Sequence, residues 1–343
     1  MILVGGENLM DMIQIDNQNE NALLEAVPGG SPYNLAMAAG RQGVKVGYVT
    51  PISKDKNGEQ LAQNLVNSNV SLLGPRVTAP TSLAMVHIED GIPSYSFYRE
   101  GTAERLVTLD SLLKNLTSEV SIFHIGSLAL TGGKDALVWE EFVKRARENN
   151  VKVSLDPNVR PSLIAEPDVY RQRIKNLITE VDILKLSDED LLWLFNDSAD
   201  ETNALAELEV ITNAELLIVT RGAQGSAVLH GKKWHELPSH PLEKLSDTVG
   251  AGDTFMASIL AWLIKNEKLN QLTLLELNEK TDLLHYAGKA AALNCEKQGC
   301  NPPWENELLK HVKKHQKDPH LNDTFETENI YMWHLKYIQR FLF

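Results

Sequence analysis

The stretch DTVGAGDTF, residues 247–255, places three small residues between two acids, just before a long apolar run. Backbone N–H groups at the start of a helix form an anion site, and Gly250, Ala251 and Gly252 would let a phosphate approach without a clash. Asp253 cannot bind that phosphate, because a carboxylate repels it. The pattern therefore predicts that Asp253 takes the proton from a hydroxyl that attacks phosphorus, or else only caps a helix after a flexible turn.

A second glycine-rich stretch, PGGSPYNLAMAAGRQG, covers residues 28–43. Gly29 and Gly30 precede a helical pattern of small residues, which permits close packing of the backbone. Asn34, in the first turn of that helix, can exchange hydrogen bonds with a polyol. A plain glycine loop followed by an asparagine is the alternative.

The elements that would position these residues follow from apolar patterning. Six short apolar runs end in Gly, Ser, Asp or Asn and alternate with helical patterns along the chain. Strands buried on both faces that alternate with helices predict an α/β protein with a mainly parallel central sheet between layers of helices. Ligands bind such sheets at the carboxyl ends of the strands, where this chain carries GENLMD, DPNVRP, KLSDED and TRGAQG. We therefore expect the site at that edge.

Two segments interrupt the alternation of strands and helices, residues 11–28 and residues 81–101. Both alternate apolar and polar residues, and the second contains Glu89-Asp-Gly, a hairpin turn signal. They predict antiparallel strands of a small sheet outside the parallel core. A sheet made of two inserted pieces would form a lid over an active site.

The composition argues against several classes of protein. The chain has 343 residues, 43% of them hydrophobic, and a net charge of −13. An acidic surface repels polyanions, which argues against general binding of nucleic acids or membrane surfaces. The sequence shows no signal-peptide pattern at its start and no apolar run of membrane-spanning length. With only two cysteines, Cys295 and Cys300, these features predict reduced thiols and a cytoplasmic protein.

Conventional nucleotide-binding motifs are absent from the sequence. The nearest approach to a P-loop, GSLALTGGKD, has the wrong glycine spacing, and Asp135 follows Lys134 where Ser or Thr is needed. No Gly-x-Gly-x-x-Gly follows the first strand, which counts against a dinucleotide-dependent dehydrogenase.

DTVGAGDTF together with GGSPYNLAMAAGRQG resembles the paired signatures of the PfkB, or ribokinase-like, family of carbohydrate kinases. The pieces between them, SFYREGTAERL, FHIGSLAL, LDPNVRPSLI, KLSDEDL and VTRGAQGSAV, and AALNCEKQGCNPP after them, resemble the fructokinases of that family. The resemblance implies a ribokinase-like three-layer sandwich with a mainly parallel central sheet and a small β-sheet lid. It implies a kinase domain over residues 1–310 and a C-terminal extension, residues 311–343, packed on that domain.

The resemblance assigns the reacting groups and the substrate contacts. It implies that Asp253 is the catalytic base and that the backbone of residues 250–252 (Gly250, Ala251, Gly252) is the anion hole for the γ-phosphate. Arg99, in FYREGTA, matches an arginine of the lid or floor that contacts the sugar. The other implied substrate contacts, in the lid, the first helix and the cleft, are Asp11, Gly29, Gly30, Asn34, Asn158 and Arg160.

The resemblance also implies a nucleotide and its metal ions. The implied ATP contacts, at two strand ends and in the last core helix, are Lys185, Ser187, Thr220, Gly222, Gly225 and Asn294. Relatives often have Asn-x-x-Glu at the turn that organises Mg²⁺, whereas this chain has Ser187-Asp-Glu-Asp190. Asp190, with Glu189 beside it, is expected to hold Mg²⁺ through water. Asp247 matches a loop position that holds a monovalent cation in many relatives, which makes K⁺ a further candidate.

The implied reaction is transfer of the γ-phosphate of ATP to a primary hydroxyl of a ketohexose, with D-fructose as the expected substrate and fructose 6-phosphate as the product. A 2-keto-3-deoxygluconate kinase is the nearest alternative, because its acidic substrate would suit Arg99. A ribose or aminoimidazole-riboside kinase, and a non-catalytic sugar- or nucleotide-binding regulator on the same fold, are the others. Relatives often pair through an exposed lid sheet, which implies a homodimer.

Overall fold

The computed structural model describes residues 1–16, 23–89 and 92–315. The strands, in chain order, are β1 (Ile2–Val4), β2 (Leu9–Asp16), β3 (Leu23–Gly29), β4 (Val46–Tyr48), β5 (Ile52–Ser53), β6 (Val70–Leu72), β7 (Arg76–Val77), β8 (Ser82–Glu89), β9 (Ile92–Tyr98), β10 (Ile122–Gly126), β11 (Lys152–Asp156), β12 (Ile183–Ser187), β13 (Leu216–Thr220), β14 (Ser226–His230) and β15 (Lys233–Leu237). The α-helices are α1 (Ser31–Arg41), α2 (Lys56–Asn67), α3 (Leu109–Leu113), α4 (Lys134–Glu148), α5 (Pro167–Ile178), α6 (Asp188–Leu194), α7 (Glu201–Ile211), α8 (Ala251–Lys265), α9 (Leu277–Cys295) and α10 (Glu305–His315).

The central sheet has nine strands in the order β15-β14-β13-β12-β11-β10-β1-β4-β6. The pairings from β6 to β13 are parallel, and only β14 and β15 run antiparallel to their neighbours. The strands nearest the centre are short and apolar, since both of their faces are covered. The expected mainly parallel sheet is confirmed.

Two layers of helices cover the sheet. Apolar residues of α1, α2, α8 and α9 pack on one face of the sheet, and those of α4, α5, α6 and α7 pack on the other. Each helix buries one apolar stripe against the strands, which is the stable arrangement for a parallel sheet. The three-layer sandwich predicted from the sequence is therefore confirmed.

A second, smaller sheet has the order β3-β2-β8-β9. Its strands come from the two segments that the sequence set apart, and β2–β3 and β8–β9 are antiparallel pairs. The prediction of purely antiparallel pairing is wrong at the centre, where β2 and β8 run parallel. A hairpin forces its two strands to run in opposite directions, but the long connection from β2 to β8 does not. The turn signal at residues 90–91 lies outside the described residues.

The end of the described chain packs on the core. Leu308 of α10 is fully buried against Ala290 and Leu293 of α9. The predicted extension begins within α10 at residue 311, and residues 316–343 of it lie outside the described residues. Within the described ranges, no helix is both long and apolar enough to cross a bilayer.

Candidate active site

The turn that leads into α8 has a backbone shape suited to glycine. Gly250 is the N-cap of α8 and has a φ of 74°, in the left-handed region. A Cβ built on it would lie 2.3 Å from Sγ of Cys300, so packing also excludes a side chain. Of the predicted anion hole, Ala251 donates its N–H back to the carbonyl of Thr248 at 3.2 Å. The other N–H groups in the first turn of α8 have no acceptor within the helix, and such groups can bind an anion.

Asp253 lies in the first turn of α8 and is only 8% exposed. Its Oδ1 accepts a 2.6 Å hydrogen bond from Oγ of Ser31, and its Oδ2 accepts one of 2.9 Å from Nδ2 of Asn34. Both donors belong to the first turn of α1, which packs beside α8 in the same apolar cluster. The two glycine-rich stretches of the sequence therefore meet at this one carboxylate.

Several groups set the proton affinity of Asp253. Burial raises the pKa of its carboxyl, whereas hydrogen bonds from Ser31 and Asn34 and the charges of Lys185 and Arg160 act in the opposite direction. A carboxylate whose pKa lies above its ordinary value is a better proton acceptor when it is ionised. The surroundings of Asp253 thus suit a general base.

Asp11 and the two glycines before α1 form one wall of the candidate site. A Cβ on Gly29 would lie 2.3 Å from Oδ2 of Asp11, and one on Gly30 would lie 2.6 Å from the carbonyl oxygen of Glu7. Burial raises the pKa of Asp11 to about 6, against the opposing charge of Arg160. The glycines are therefore required by close approach, and they leave a polar wall that can bind hydroxyl groups.

Arg99 is committed to partners in the protein. Its Nε and Nη2 donate to the two carboxylate oxygens of Glu104 at 2.8 and 3.1 Å. Its Nη1 donates to the carbonyl of Leu128 at 3.1 Å and to Oγ1 of Thr131 at 3.4 Å. The charge of Arg99 lowers the pKa of the buried Glu7, which indicates that the arginine lies near the wall just described. Its predicted sugar contact stays a prediction.

The DPNVRP segment after β11 supplies two of the predicted cleft residues. Asn158 is half-buried and has a φ of 41°, an unusual backbone for a residue other than glycine. Arg160 is exposed, and its Nη1 donates to the neighbouring carbonyl of Val159 at 3.0 Å. Its charge lowers the pKa of both Asp11 and Asp253. Arg160 therefore acts electrostatically on both acids, and its predicted contact with the substrate stays a prediction.

Lys185 lies beneath the turn before α8. Its Nζ forms a 2.7 Å ion pair with Oδ2 of Asp156, and the two side chains are 5% and 2% exposed. A Cβ on Gly252 would lie 3.4 Å from the same Nζ. A buried positive charge under the helix start adds to the attraction that the helix dipole exerts on an anion.

The predicted magnesium turn is a helix cap. Oγ of Ser187 accepts from the N–H of Asp190, and Oδ2 of Asp190 accepts from the N–H of Ser187 at 3.1 Å, which together form a capping box. Oδ1 of Asp190 accepts from the N–H of Val159 at 2.7 Å. Asp190 therefore joins α6 to the loop after β11.

These residues suit a magnesium ion held indirectly. Both oxygens of Asp190 already accept backbone N–H groups, and Glu189 is exposed to solvent. The described part of the chain has no cluster of three or more His, Cys, Asp or Glu side chains placed to hold a metal. Mg²⁺ gives up its water reluctantly, so contacts through water fit this donor set better than direct ligation.

The predicted nucleotide loop follows β13, next to the capping turn. Ser187 pairs with Thr220 at the ends of β12 and β13, and Oγ1 of Thr220 donates to the carbonyl of Leu186 at 3.3 Å. Gly225 has a φ of 104°, and a Cβ there would lie 2.0 Å from a carbonyl oxygen. Gly222 has a φ of 50° and open space around it. The loop thus leaves exposed backbone at the edge where ligands bind.

Asn294 and Asp247 brace the turn before α8. Asn294 is fully buried, and its Nδ2 donates to the carbonyl of Val249 while its Oδ1 accepts from the N–H of Asn301. Asp247 accepts from the N–H groups of Val249 and Gly299 at 3.0 and 2.9 Å. These bonds differ from the adenine contact and the cation contact expected for the two residues, and those two roles stay predictions.

Unsatisfied buried polar atoms gather around the base. Five buried side-chain atoms have no hydrogen-bond partner within the described residues, and four of them belong to Glu7, Asn34, Asp156 and Thr254. Asn34 contacts Asp253, Thr254 follows it, and Glu7 and Asp156 adjoin the network through Ser31 and Lys185. Buried polar groups without hydrogen-bond partners mark places where a ligand or water can supply the missing partner.

Glu7, Ser31 and Asp156 belong to this network and, like Thr254, were not predicted from the sequence as site residues. Glu7 and Asp156 stand in GENLMD and LDPN, at strand ends that the patterning had marked as part of the site. Ser31 directly follows the second glycine-rich turn. A charged or hydroxyl side chain at such a point is the only signal that the sequence offered for them.

Comparison with known proteins identifies the family. The profile of the pfkB family carbohydrate kinases matches residues 1–307. The chain belongs to the pfkB family of carbohydrate kinases. A fructokinase of Rhizobium leguminosarum bv. trifolii is 35% identical to this pfkB kinase over 281 residues, which are 82% of this chain and 85% of the relative. Fructokinase-1 of Zea mays is 29% identical over 324 residues, 92% of this chain and 98% of the relative.

Solved structures agree with this family assignment. A fructokinase from Xylella fastidiosa, solved with bound ATP, superposes on this pfkB kinase with a TM-score of 0.83 at 28% identity, covering 92% of this chain and 99% of that one. The ribokinase-like fold and the sugar-kinase class expected from the sequence are therefore confirmed.

Proposed function

We propose that this pfkB kinase transfers the γ-phosphate of ATP to a primary hydroxyl of D-fructose and forms fructose 6-phosphate. The observation that carries the proposal is the buried carboxylate of Asp253, directly after the glycine turn of α8. The names of the relatives support fructose, and the ATP in the bacterial fructokinase structure supports the phosphate donor.

Asp253 would accept the proton of the attacking hydroxyl while the phosphoryl group moves to that oxygen. The start of α8 and the buried charge of Lys185 would stabilise the negative charge that develops on the phosphoryl oxygens. Asp11, Gly30 and Asn34 would hold the sugar in line with the base. Mg²⁺, held by Asp190 and Glu189 through water, would neutralise charge on the phosphates.

The state of Arg99 favours a neutral sugar over an acidic one. Its guanidinium forms a two-point ion pair with Glu104, and the fully buried Glu7 lies close to it. A substrate carboxylate would have to compete with Glu104 for the arginine and would be repelled by its negative charge. This arrangement argues against 2-keto-3-deoxygluconate as the substrate.

The remaining elements of the proposal concern the nucleotide, a second ion and the assembly. The loop after β13, with Thr220 and Gly222, would hold the phosphates and ribose of ATP. K⁺ beside Asp247 follows from the resemblance to the family, and a cytoplasmic location follows from the low cysteine content. The second sheet would act as a lid and as the face of a homodimer, and its exposed apolar side chains, Leu23, Leu24 and Tyr98, support that role.

A substrate panel tests the proposed function. ADP release would be measured with D-fructose, 2-keto-3-deoxygluconate, D-ribose and aminoimidazole riboside, and the product would be identified by NMR. We expect the highest kcat/KM with D-fructose and a phosphate on its C6 oxygen. A higher kcat/KM with the acidic sugar would overturn the substrate assignment. Sugar binding without ADP release from any member of the panel would indicate a regulator instead.

A further inference from the structure

Ser31 links two buried acids that lie on different elements. Its Oγ donates to Oδ1 of Asp253 at 2.6 Å, and its N–H donates to Oε1 of Glu7 at 2.9 Å. Glu7 follows β1, Ser31 is the first residue of α1, and Asp253 is in the first turn of α8. One serine thus joins the end of a central strand to the base through two hydrogen bonds.

The far end of this link is fixed in place. Glu7 is 1% exposed, and its backbone carbonyl accepts a 3.0 Å bond from the hydroxyl of Tyr48. Gly30 approaches the backbone of Glu7 so closely that a Cβ would lie 2.6 Å from its carbonyl oxygen. The start of α1 is therefore held against the end of β1, and the hydroxyl of Ser31 is held with it.

The bond from Ser31 to Asp253 differs from a surface contact in its burial, because Asp253 is only 8% exposed. A 2.6 Å O–H···O⁻ bond is at the short end of the range and is charge-assisted, so it favours the ionised form of the acid and fixes its orientation. Asn34 orients the other oxygen at 2.9 Å. A base must be aimed as well as ionised, since a small displacement can lower a rate by two orders of magnitude.

We propose that Ser31, held by Glu7, is a positioning residue that aims Asp253 at the substrate hydroxyl and keeps it ionised. The inference rests on the proposed function, because it assigns Ser31 a part in the same proton transfer. Ser31 need not touch the sugar for this role, and it acts only through Asp253.

Other titratable groups interact with Asp253, and the experiment must separate their effects from that of Ser31. Lys185 of β12 and Arg160 of the loop after β11 lower the pKa of its carboxyl. The charge of Asp253 in turn raises the pKa of the buried Asp156 of β11 and of the thiol of Cys300, in the loop after α9. The Ser31→Ala variant leaves all four of these groups unchanged.

The experiment compares Ser31→Ala with wild type by the dependence of kcat/KM for D-fructose on pH. The acid limb of that profile reports the essential base of the free enzyme. We expect the plateau to fall about tenfold and the limb to move up by about one pH unit, because the charged form of Asp253 loses a donor. The KM for ATP should stay within about twofold. Ser31→Thr keeps the hydroxyl and should restore most of both losses.

Ser198→Ala is a matched control. Oγ of Ser198 also donates to a carboxylate at 2.6 Å, that of Glu207, but on an exposed surface. This control should leave the profile where wild type has it. Glu7→Leu removes the acceptor of the Ser31 N–H and should shift the limb in the same direction as Ser31→Ala, whereas Glu7→Gln keeps an acceptor and should shift it less.

A ¹³C NMR titration of Asp253, with its signal assigned from Asp253→Asn, tests the inference without any sugar. The pKa of Asp253 should be about one unit higher in Ser31→Ala than in wild type. An unchanged pKa, or a lower plateau with an unmoved acid limb, would overturn the positioning role. If wild type fails to phosphorylate D-fructose, the proposed substrate is wrong, and this titration still decides the role of Ser31.

Discussion

Two acids occupy the third position of two helices, and their surroundings differ. Asp190 is the third residue of α6, and Asp253 is the third residue of α8. Asp190 has a serine at the N-cap and accepts hydrogen bonds from two backbone N–H groups. Asp253 follows a glycine N-cap that offers no side chain, and it accepts from the side chains of Ser31 and Asn34.

The N-cap residue determines which groups hold the acid at the third position of each helix. A serine cap recruits the third residue into a capping box, which fixes the acid to its own backbone. A glycine cap with positive φ leaves the acid to neighbours on another helix. The two segments, SDED and GAGD, share only the final acid, and the N-cap residue, Ser187 or Gly250, determines whether a capping box can form.

The hydrogen-bond partners of buried side-chain atoms also differ between the surroundings of Asp253 and those of Asp190. Within the described residues, unpartnered buried atoms belong to Asn34 and Thr254 beside Asp253, whereas Ser187, whose side chain contacts Asp190, has none. Native proteins leave few such atoms, and those that exist gather at functional sites. Asp190 is therefore held by backbone N–H groups, so its proposed contact with Mg²⁺ would run through water, whereas Asp253 is surrounded by groups that a substrate can complete.

The first prediction removes the positive charge of Lys185, which acts on both Asp190 and Asp253. Lys185 interacts electrostatically with Asp190 and with Asp253 and forms an ion pair with the buried Asp156. Lys185→Met should lower the free energy of unfolding by about 3–5 kcal/mol, because it leaves Asp156 buried without its cation. Urea denaturation measures the change. The double variant with Asp156→Asn should recover part of the loss, and an unaltered unfolding midpoint in Lys185→Met would contradict the buried pair.

The second prediction concerns the pH dependence of stability that Glu7 causes. Glu7 is linked to Asp253 through Ser31. Burial raises the pKa of Glu7 from an ordinary 4.5 to about 7. Folded protein therefore binds this proton more tightly than unfolded protein, so Glu7 makes the free energy of unfolding fall as pH rises from about 4.5 to about 7. Glu7→Gln removes this fall, which amounts to at most about 3 kcal/mol at 1.36 kcal/mol per pKa unit.

Denaturation of wild type and Glu7→Gln at pH 4 and pH 8 measures that difference. The stability of Glu7→Gln relative to wild type should improve on going to pH 8. Equal pH slopes for the two proteins would show that Glu7 is not held as a costly buried acid.

The third prediction sharpens the role of the glycine cap. Gly250→Ala should destabilise the fold by about 1–3 kcal/mol and lower kcat, because it forces a positive φ on alanine and pushes a Cβ against Cys300. A double variant with Cys300→Ala relieves the contact but leaves the backbone strain. The unfolding midpoints of the two variants separate these causes, and a Gly250→Ala protein with wild-type stability and kcat would refute the strained turn.

The fourth and smallest prediction tests the serine cap of α6. Ser187→Ala should cost about 1 kcal/mol of unfolding free energy, as loss of an N-cap hydroxyl does. Its kcat should stay within about threefold of wild type if the cap is scaffold. A large loss of kcat with unchanged stability would place Ser187 among the groups that act on the nucleotide directly.

The layers of the fold and the place of the candidate base could be predicted from the sequence. Fully apolar strands and the two glycine-rich turns are local signals, and they mark the sheet, its ligand edge and Asp253. The parallel pairing of β2 with β8 could not be predicted, because the direction of a strand depends on the whole connection before it.

The partners of the site residues were beyond sequence reasoning for a similar reason. The bond from Ser31 to Asp253 spans 222 residues and exists only because α1 and α8 pack side by side. Arg99 suits an acidic substrate when it is considered alone, and only the fold shows that Glu104 occupies its guanidinium. Residue types indicated which side chains could react or bind, and packing determined which of those side chains already have partners within the protein.

The most direct test measures kcat with ATP and D-fructose for two matched variants, Asp253→Asn and Asp190→Asn. Each removes one negative charge from the third position of a helix. Loss of a general base should lower kcat of Asp253→Asn by about 10²–10⁴-fold, with ATP binding retained. Asp190→Asn should keep kcat within about tenfold and lose folding stability, because its carboxylate holds two backbone N–H groups. A folded Asp253→Asn protein with a kcat near that of wild type would contradict the account.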